Sequence, residues 1–363
     1  MKFNLMLRVG TGAVRTPTTM QEWDTMSLEG NQQAEQNSSN IRLTPEQLSA
    51  LSVTPEINPR TGKPLKPRWL KSEIVQGERL YEIKRNLREG RLFTVCEEAR
   101  CPNISECWNS GTATFMILGD TCTRGCRFCA VKTGNPEGLL DPNEPLNTAM
   151  NIKRMNLDYA VITMVDRDDL PDGAAHIART VEAIQSENPS LILEILAGDF
   201  QGREEPLRTV LFAGQGIDVF AHNVETVRRL SPRVRDARAK YDQSLRVLEN
   251  AKKMRPEHFT KSALMLGLGE EPAEIEESLK DLRSVGVDII TIGQYLQPSN
   301  KHLTIKRFVH PDEFKHWQQV AAELGFKGVA SGPLVRSSYK AAHLFPDRTR
   351  VGRTDTPNGK PQN

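Results

Sequence analysis

All six cysteines of this 363-residue chain fall between Cys96 and Cys129. They divide into two triplets: Cys96, Cys101 and Cys107, spaced C-x4-C-x5-C, and Cys122, Cys126 and Cys129, spaced C-x3-C-x2-C. A disulfide framework suits small secreted domains that lack a core, not a long chain whose cysteines crowd into one stretch. Zinc closes its structural sites with four protein ligands, commonly as paired C-x2-C units, and neither triplet has a fourth cysteine nearby. Iron–sulfur clusters are held by thiolates at short, uneven spacings, and three thiolates on a four-iron cluster leave one iron open to a substrate. Two non-enzymatic readings stand beside this one, a zinc-stabilised binding module and a two-cluster electron carrier. A carrier would close each cluster with four protein ligands.

The context of the second triplet, GDTCTRGCRFCAV, resembles the signature of the radical S-adenosylmethionine (SAM) enzymes. The first triplet, in VCEEARCPNISECW, together with RSSYKA near the C-terminus, is similar to one branch of them, the lipoyl synthases. The resemblance covers roughly residues 65 to 343 and includes TMVDRDDLPDG, DFQG, HNVETV, KSALMLGLGE and GQYLQPS. It implies that the amino and carboxylate groups of SAM chelate the open iron of a cluster at Cys122, Cys126 and Cys129. It also implies that Ser338, the second serine of RSSY, is the fourth ligand of an auxiliary cluster at Cys96, Cys101 and Cys107. From residue chemistry alone those serines read as a turn or a cap. The chain departs from the family in reading DGAA at 172–175, where DGGA is usual, and Ala197-Gly198, where a proline often precedes the DF pair. Methylthiotransferases and biotin-synthase-like enzymes also use two clusters, but lack this pairing of C-x4-C-x5-C with RSSY.

The elements that must position these residues are short apolar runs alternating with helical patterns. The runs are ATFMIL (113–118), YAVITMV (159–165), LILEIL (191–196), IDVFAHN (217–223), SALMLGL (262–268) and VDIITIG (287–293). Between them lie amphipathic stretches such as YDQSLRVLENAKKM and PAEIEESLKDLRSVG. Six buried strands alternating with helices predict an α/β fold with a parallel sheet, and the resemblance implies a partial (β/α)6 barrel closed at its mouth by terminal extensions.

In such folds the chemistry gathers where the strands end. The cysteines of the second triplet follow the first strand; Asp166, Asp168 and Asp169 follow the second; Asp199 follows the third. His222 and Asn223 end the fourth strand, and Gly267 and Gly269 follow the fifth. Asp166 and Asp168 are candidates to accept hydrogen bonds from cofactor ribose or ammonium groups, with helix capping as the alternative. Gly267 and Gly269 permit close approach of the backbone to a ligand, or a tight turn. Glu194, inside an apolar strand, is costly to bury unpaired and points to a polar role in the barrel interior, with cofactor binding as the expectation. His222 and Asn223 make either structural hydrogen bonds or ligand contacts.

With 48 basic and 46 acidic residues, the charge is balanced at +2 and carries no nucleic-acid footprint. No apolar run is long enough to span a bilayer. Residues 1–65 read as a disordered or loosely ordered leader, 66–111 as an extension bearing the first triplet, and 112–310 as the barrel. A C-terminal helix and the RSSY segment follow over 311–345, then a disordered tail over 346–363. Lys2, Arg8 and Arg15 precede any acid, as in a transit peptide, but Glu22 and Asp24 interrupt the pattern. A cytoplasmic location is expected, with a mitochondrial or plastid matrix as the alternative.

Breaking an unactivated aliphatic C–H bond lies beyond side-chain acids, bases and nucleophiles and requires a radical cofactor. The resemblance implies that a reduced cluster at the second triplet cleaves SAM to a 5′-deoxyadenosyl radical, which removes hydrogen from an octanoyl chain. Sulfur then enters at carbons 6 and 8 from the auxiliary cluster. The implied cofactors are two four-iron, four-sulfur clusters and SAM. The implied partners are octanoylated lipoyl-domain proteins (2-oxoacid dehydrogenase E2 subunits and the glycine cleavage H protein), an electron donor such as flavodoxin or ferredoxin, and an iron–sulfur carrier. Cys126→Ala is expected to abolish SAM cleavage, and Cys101→Ala to leave it measurable while stopping sulfur insertion. Chromatographic assay of 5′-deoxyadenosine checks this, and equal cleavage by both variants counts against the assignment.

Overall fold

The structure is a computed structural model that describes residues 42–60, 62, 64–71, 81, 83–85, 93–98, 101–109, 112–171, 173–339 and 341–345. The first 41 residues of the expected leader, Asp172, the tail 346–363 and much of the helical run over 65–95 lie outside the described residues.

The centre is an eight-stranded sheet. Its strands are β1 (Phe93–Thr94), β2 (Thr112–Ile117), β5 (Tyr159–Met164), β6 (Ile192–Leu196), β7 (Val219–Ala221), β8 (Phe259–Leu266), β9 (Ile289–Gln294) and β10 (Gly328–Gly332), in that spatial order. β3 (Thr121–Cys122) and β4 (Lys132–Thr133) form a separate parallel pair. From β2 to β10 every neighbour is parallel, and only β1 runs antiparallel, against β2. No hydrogen-bonded ladder joins β10 back to β2, so the barrel is open along that seam.

The apolar runs form strands because both faces are buried. On the outer face Ala160, Ile162, Leu193 and Ile195 join the main core under the helices. Proline in the first turn starts the helices Glu144–Met155, Pro272–Ser284 and Pro311–Glu323, where its missing N–H costs nothing. On the inner face Tyr159, Val161, Ile192 and Val219 cluster with Ala341 and Phe345 from the C-terminal segment. The Phe345 ring lies edge-on to Tyr159 and Phe259 at 6.3 and 5.3 Å, closing the floor. Further along the same face Thr163, Leu196, Ala263 and Thr291 look into a chamber.

All six expected strands are present, and β10 adds a seventh parallel strand within the segment expected to hold only a helix and RSSY. Its sequence, GVASG, carries a single β-branched residue between two glycines, too weak a strand pattern to read. Those glycines serve close packing: a Cβ at Gly328 would stand 2.8 Å from the Leu344 carbonyl oxygen.

The leader boundary also moves. Residues 45–50 form a helix with a capping box at Thr44, and Leu48 is buried in the main core. The Leu43 N–H donates to His316 Nδ1 (2.9 Å), and Val53 bridges to Phe308. A leader reaching to residue 65 is therefore corrected: the stretch from Arg42 belongs to the folded unit. It is polar because one sparse apolar face, centred on Leu48, does the docking. Ala174, where the family usually has glycine, lies in the helix Gly173–Glu187 and has no left-handed φ, so it asks nothing of a glycine. Leu48→Ala is expected to cost about 2–5 kcal/mol, and removing residues 1–60 to lower the thermal midpoint relative to removing 1–41. Calorimetry of the cluster-free proteins measures both, and equal midpoints for the two truncations would restore the longer leader.

Candidate functional site

The loop bearing Cys122, Cys126 and Cys129 is tied to the strand ends by Arg124, whose side chain is 2% exposed. Nε and Nη2 donate to Asp168 (2.9 and 2.9 Å), and Nη1 and Nη2 donate to Asp199 (2.8 and 2.8 Å). Asp168 follows β5 and Asp199 follows β6, so one guanidinium locks the cysteine loop onto two strands by bidentate pairing. Its hydrogen bonds hold the Asp168 carboxyl far below the usual range. Burial alone would raise Asp199, but the bonds and charge of Arg124 outweigh it and the net shift is downward. Asp166, 3.7 Å from Arg124, goes the other way: burial pushes its carboxyl up to about 6 against the pull of Arg124.

Two backbone N–H groups already point at the sulfurs, Arg124 N–H to Cys122 (3.4 Å) and Asp236 N–H to Cys126 (3.3 Å). The His302 ring meets the Cys129 carbonyl oxygen at 2.9 Å. Burial raises the Cys126 thiol to about 12 and Cys129 to about 11. Each therefore carries its proton in the metal-free chain and releases it on ligation.

All three cysteines face a chamber of about 1080 Å³ at the C-terminal ends of the strands. Asp166 and Asn223 line it too. The Asn223 Nδ2 donates to Glu225 (3.1 Å), while its Oδ1 is buried with no partner among the described residues, as is Thr291 Oγ1 in the same wall. Unmatched acceptors at a chamber wall fit a ligand bearing ammonium, amine or hydroxyl donors, as SAM does.

Cys96, Cys101 and Cys107 ring a second, much smaller cavity beside the open seam, and Ser338 lines it with them. The Thr114 hydroxyl of β2 donates to Ser338 Oγ (2.9 Å). Burial raises Cys96 to about 11, with Trp108 and Thr114 opposing through hydrogen bonds. The Trp108 indole N–H is fully buried and, among the described residues, has no oxygen or nitrogen acceptor. Three thiols, a serine hydroxyl and an arginine around one void suit an anionic sulfur-rich group. No group of three or more His, Cys, Asp or Glu side chains among the described residues could hold a single metal ion.

The other expected residues are engaged by protein partners, although His222 also lines the chamber. Asp168 is consumed by Arg124, Gln201 (3.0 Å) and Arg238 (3.1 Å), and so positions the loop rather than a ligand. Glu194 does point into the barrel, but below the chamber, where Lys261 (2.8 and 2.9 Å) and the Tyr159 hydroxyl (2.6 Å) occupy it. Gly267 and Gly269 have φ of 102° and 107°, but Glu270 fills the turn they make. It accepts from the Gly267, Leu268 and Gly269 N–H groups at 2.7, 2.9 and 3.1 Å. These glycines serve a strand-to-helix turn. His222 is structural, its ring nitrogens meeting the Ala197 carbonyl (2.9 Å) and Ser244 (2.8 Å), and burial lowers it to about 4. Gly198 replaces the family's proline at a point where a Cβ would stand 2.3 Å from Asp166 Oδ1.

Sequence reasoning missed Arg124, Glu225 and Thr291. Arg124 carried a signal, a charged residue between two cysteines of a buried motif; Glu225, a non-glycine at φ 68°, carried none.

A family model described as the radical SAM superfamily matches residues 116–282, the stretch that builds most of the sheet and the three-cysteine loop. The chain is therefore a radical SAM enzyme, a class that works with SAM and a four-iron cluster. A second model, the N-terminal domain of lipoyl synthase of the radical SAM family, matches residues 27–101. "Lipoyl synthase, mitochondrial" of Drosophila melanogaster is 56% identical over 285 residues, covering 77% of this chain and 75% of that protein. The Branchiostoma floridae protein of that name is 54% identical with the same coverage. "Lipoyl synthase, apicoplast" of Toxoplasma gondii is 51% identical over 317 residues, 84% of this chain and 58% of that protein. The chain belongs to the lipoyl synthase family.

Removing Arg124 leaves Asp166, Asp168 and Asp199 without their buried cation. Arg124→Met is expected to cost about 3–5 kcal/mol near neutral pH. In the parent, Asp168 and Asp199 have depressed folded pKa values, so their stabilisation is present above the unfolded pKa and lost as pH falls through the folded value. In the variant the buried carboxylates are raised instead, so its deficit shrinks on acidification. Urea unfolding of the cluster-free proteins across pH reads this, and a deficit independent of pH contradicts it.

Proposed function

We propose that this chain is a lipoyl synthase in activity, inserting two sulfur atoms at carbons 6 and 8 of an octanoyl group carried on a lysine of a lipoyl-domain protein. Cys122, Cys126 and Cys129 hold the cluster that binds SAM, and Cys96, Cys101, Cys107 and Ser338 hold the second. When bound, the first group supplies a radical strong enough to break an aliphatic C–H bond and the second supplies sulfur. The protein's own part is placement. Arg124 fixes the first loop; Asn223 and Asp166 present acceptors to the SAM end of the chamber; Met116, Leu196 and Met265 give it apolar wall for a hydrocarbon chain.

The single observation that carries the reading is Ser338 in one cavity with three cysteines from the other end of the sheet, while its neighbour Ser337 lines the chamber. A two-cluster electron carrier has no use for the large chamber between them. E2 subunits and the glycine cleavage H protein are the substrates proposed, with flavodoxin or ferredoxin as electron donor and an iron–sulfur carrier for cluster supply. The cytoplasmic expectation gains no support from relatives named for mitochondria and the apicoplast, and we favour the organellar alternative.

Ser338 would hold the second cluster through an oxygen, which binds iron less firmly than the thiolates of Cys96, Cys101 and Cys107 would. Ser338→Cys is expected to keep the second cluster, by iron and sulfide content, yet impair lipoyl formation on an octanoylated lipoyl domain, by mass spectrometry. Ser337→Ala is the milder change. Full lipoyl formation by the Cys variant refutes the ligand role.

A further inference from the structure

Arg336, the first residue of RSSY, is placed where no surface role explains it. It lines both voids, the small cavity with Cys96, Cys101, Cys107 and Ser338 and the large chamber with Cys122, Cys126 and Cys129. Among the described residues its hydrogen bonds are from Nη1 alone, to the carbonyl oxygens of Val335 (2.6 Å) and Gln294 (3.3 Å). It makes no ion pair with any described carboxylate. Room for it is built in: a Cβ at Gly293 would stand 2.1 Å from the Val335 carbonyl oxygen and 3.4 Å from Arg336 Nη1. The other deep arginines behave differently. Arg124 holds Asp168 and Asp199, and Arg307 holds Glu270 and Glu313. A half-buried guanidinium that lines two voids without an anion is costly, and carbonyl dipoles on one nitrogen do not neutralise it.

We propose that Arg336 is the counter-charge of the second cysteine cavity, a positioning residue whose free guanidinium edge faces the anionic iron–sulfur group ringed by Cys96, Cys101, Cys107 and Ser338 and holds it at the wall shared with the chamber. This rests on the assignment of that cavity to a cluster. Ligation at Cys96, Cys101 and Cys107 replaces neutral thiols by thiolates and concentrates negative charge where Arg336 waits. Its carbonyl bonds then aim it, and the anion completes its set of partners.

The test uses the full-length chain carrying Cys126→Ala, so that the second cluster is observed alone, with Arg336→Met or Arg336→Lys added. Anaerobically reconstituted proteins are titrated by potential-controlled electron paramagnetic resonance, and iron loss to a ferrous chelator is timed. Loss of a nearby positive charge disfavours the reduced cluster. R336M is therefore expected to titrate at a more negative potential than its parent and to lose iron about tenfold faster. R336K keeps the charge and is expected to lie near the parent. Unchanged potential and iron loss in R336M overturn the proposal, and so does R336K changing as much as R336M, which would assign the effect to shape. A parent without a cluster overturns the site assignment itself. If R336M fails to fold, judged by circular dichroism before reconstitution, R336Q is read against R336K under the same outcomes.

Discussion

The ion pairs of Arg124 with Asp168 and Asp199 are what the active end of this molecule hangs on. A loop with three cysteines in eight residues has little apolar surface of its own, and nothing in its local propensities would hold its sulfurs on one void. The arginine supplies the missing constraint by reaching the ends of two adjacent strands at once, from a position inside the motif. Because the pairing is bidentate on both sides and almost wholly removed from solvent, it is directional. The loop is held in one orientation relative to β5 and β6, and the chamber inherits that orientation. Asp166, left with the weaker share of the same cation, is the carboxylate still facing the void.

The second constraint is the open seam. The sheet does not close, and the C-terminal segment packs across the open side. After β10 the chain turns back, puts Val335 against the bare Gly293, carries Ser338 to Thr114 on β2, and ends with Phe345 under the barrel. The smaller cysteine cavity therefore lies in the gap between the first and last parallel strands, with one wall made by each end of the chain.

Much of this is legible in the residues. The strands at β2 and β5 to β9 stand out because their apolar runs are long and buried on both faces, and the two triplets declare themselves by spacing. What does not show in sequence is partnership across distance. Glu194 reads as an unpaired acid because Lys261, 67 positions on, gives no local sign of being its mate. Gly267 and Gly269 look like a ligand cradle because the carboxylate that fills it, Glu270, is indistinguishable in sequence from any acid at a helix start. Ser338 looks like a turn residue for the same reason, its neighbours being remote. β10 hides because its glycines, chosen for close approach, erase the pattern by which strands are recognised.

The two cysteine sites also differ in when they come into being. The first triplet's cavity needs Ser338, hydrogen-bonded to Thr114 across 224 positions of chain, whereas the second triplet's loop is anchored by Asp168 and Asp199, 44 and 75 positions away. On a chain emerging from its N-terminus, the loop that carries Arg124 acquires its anchors while more than a third of the molecule is still unmade. The seam cavity acquires its last wall only once the chain has been made as far as Ser338. A cavity walled by residues so far apart in the chain is thus a record of late folding, since the wall bearing Ser338 exists only after most of the sheet has been made.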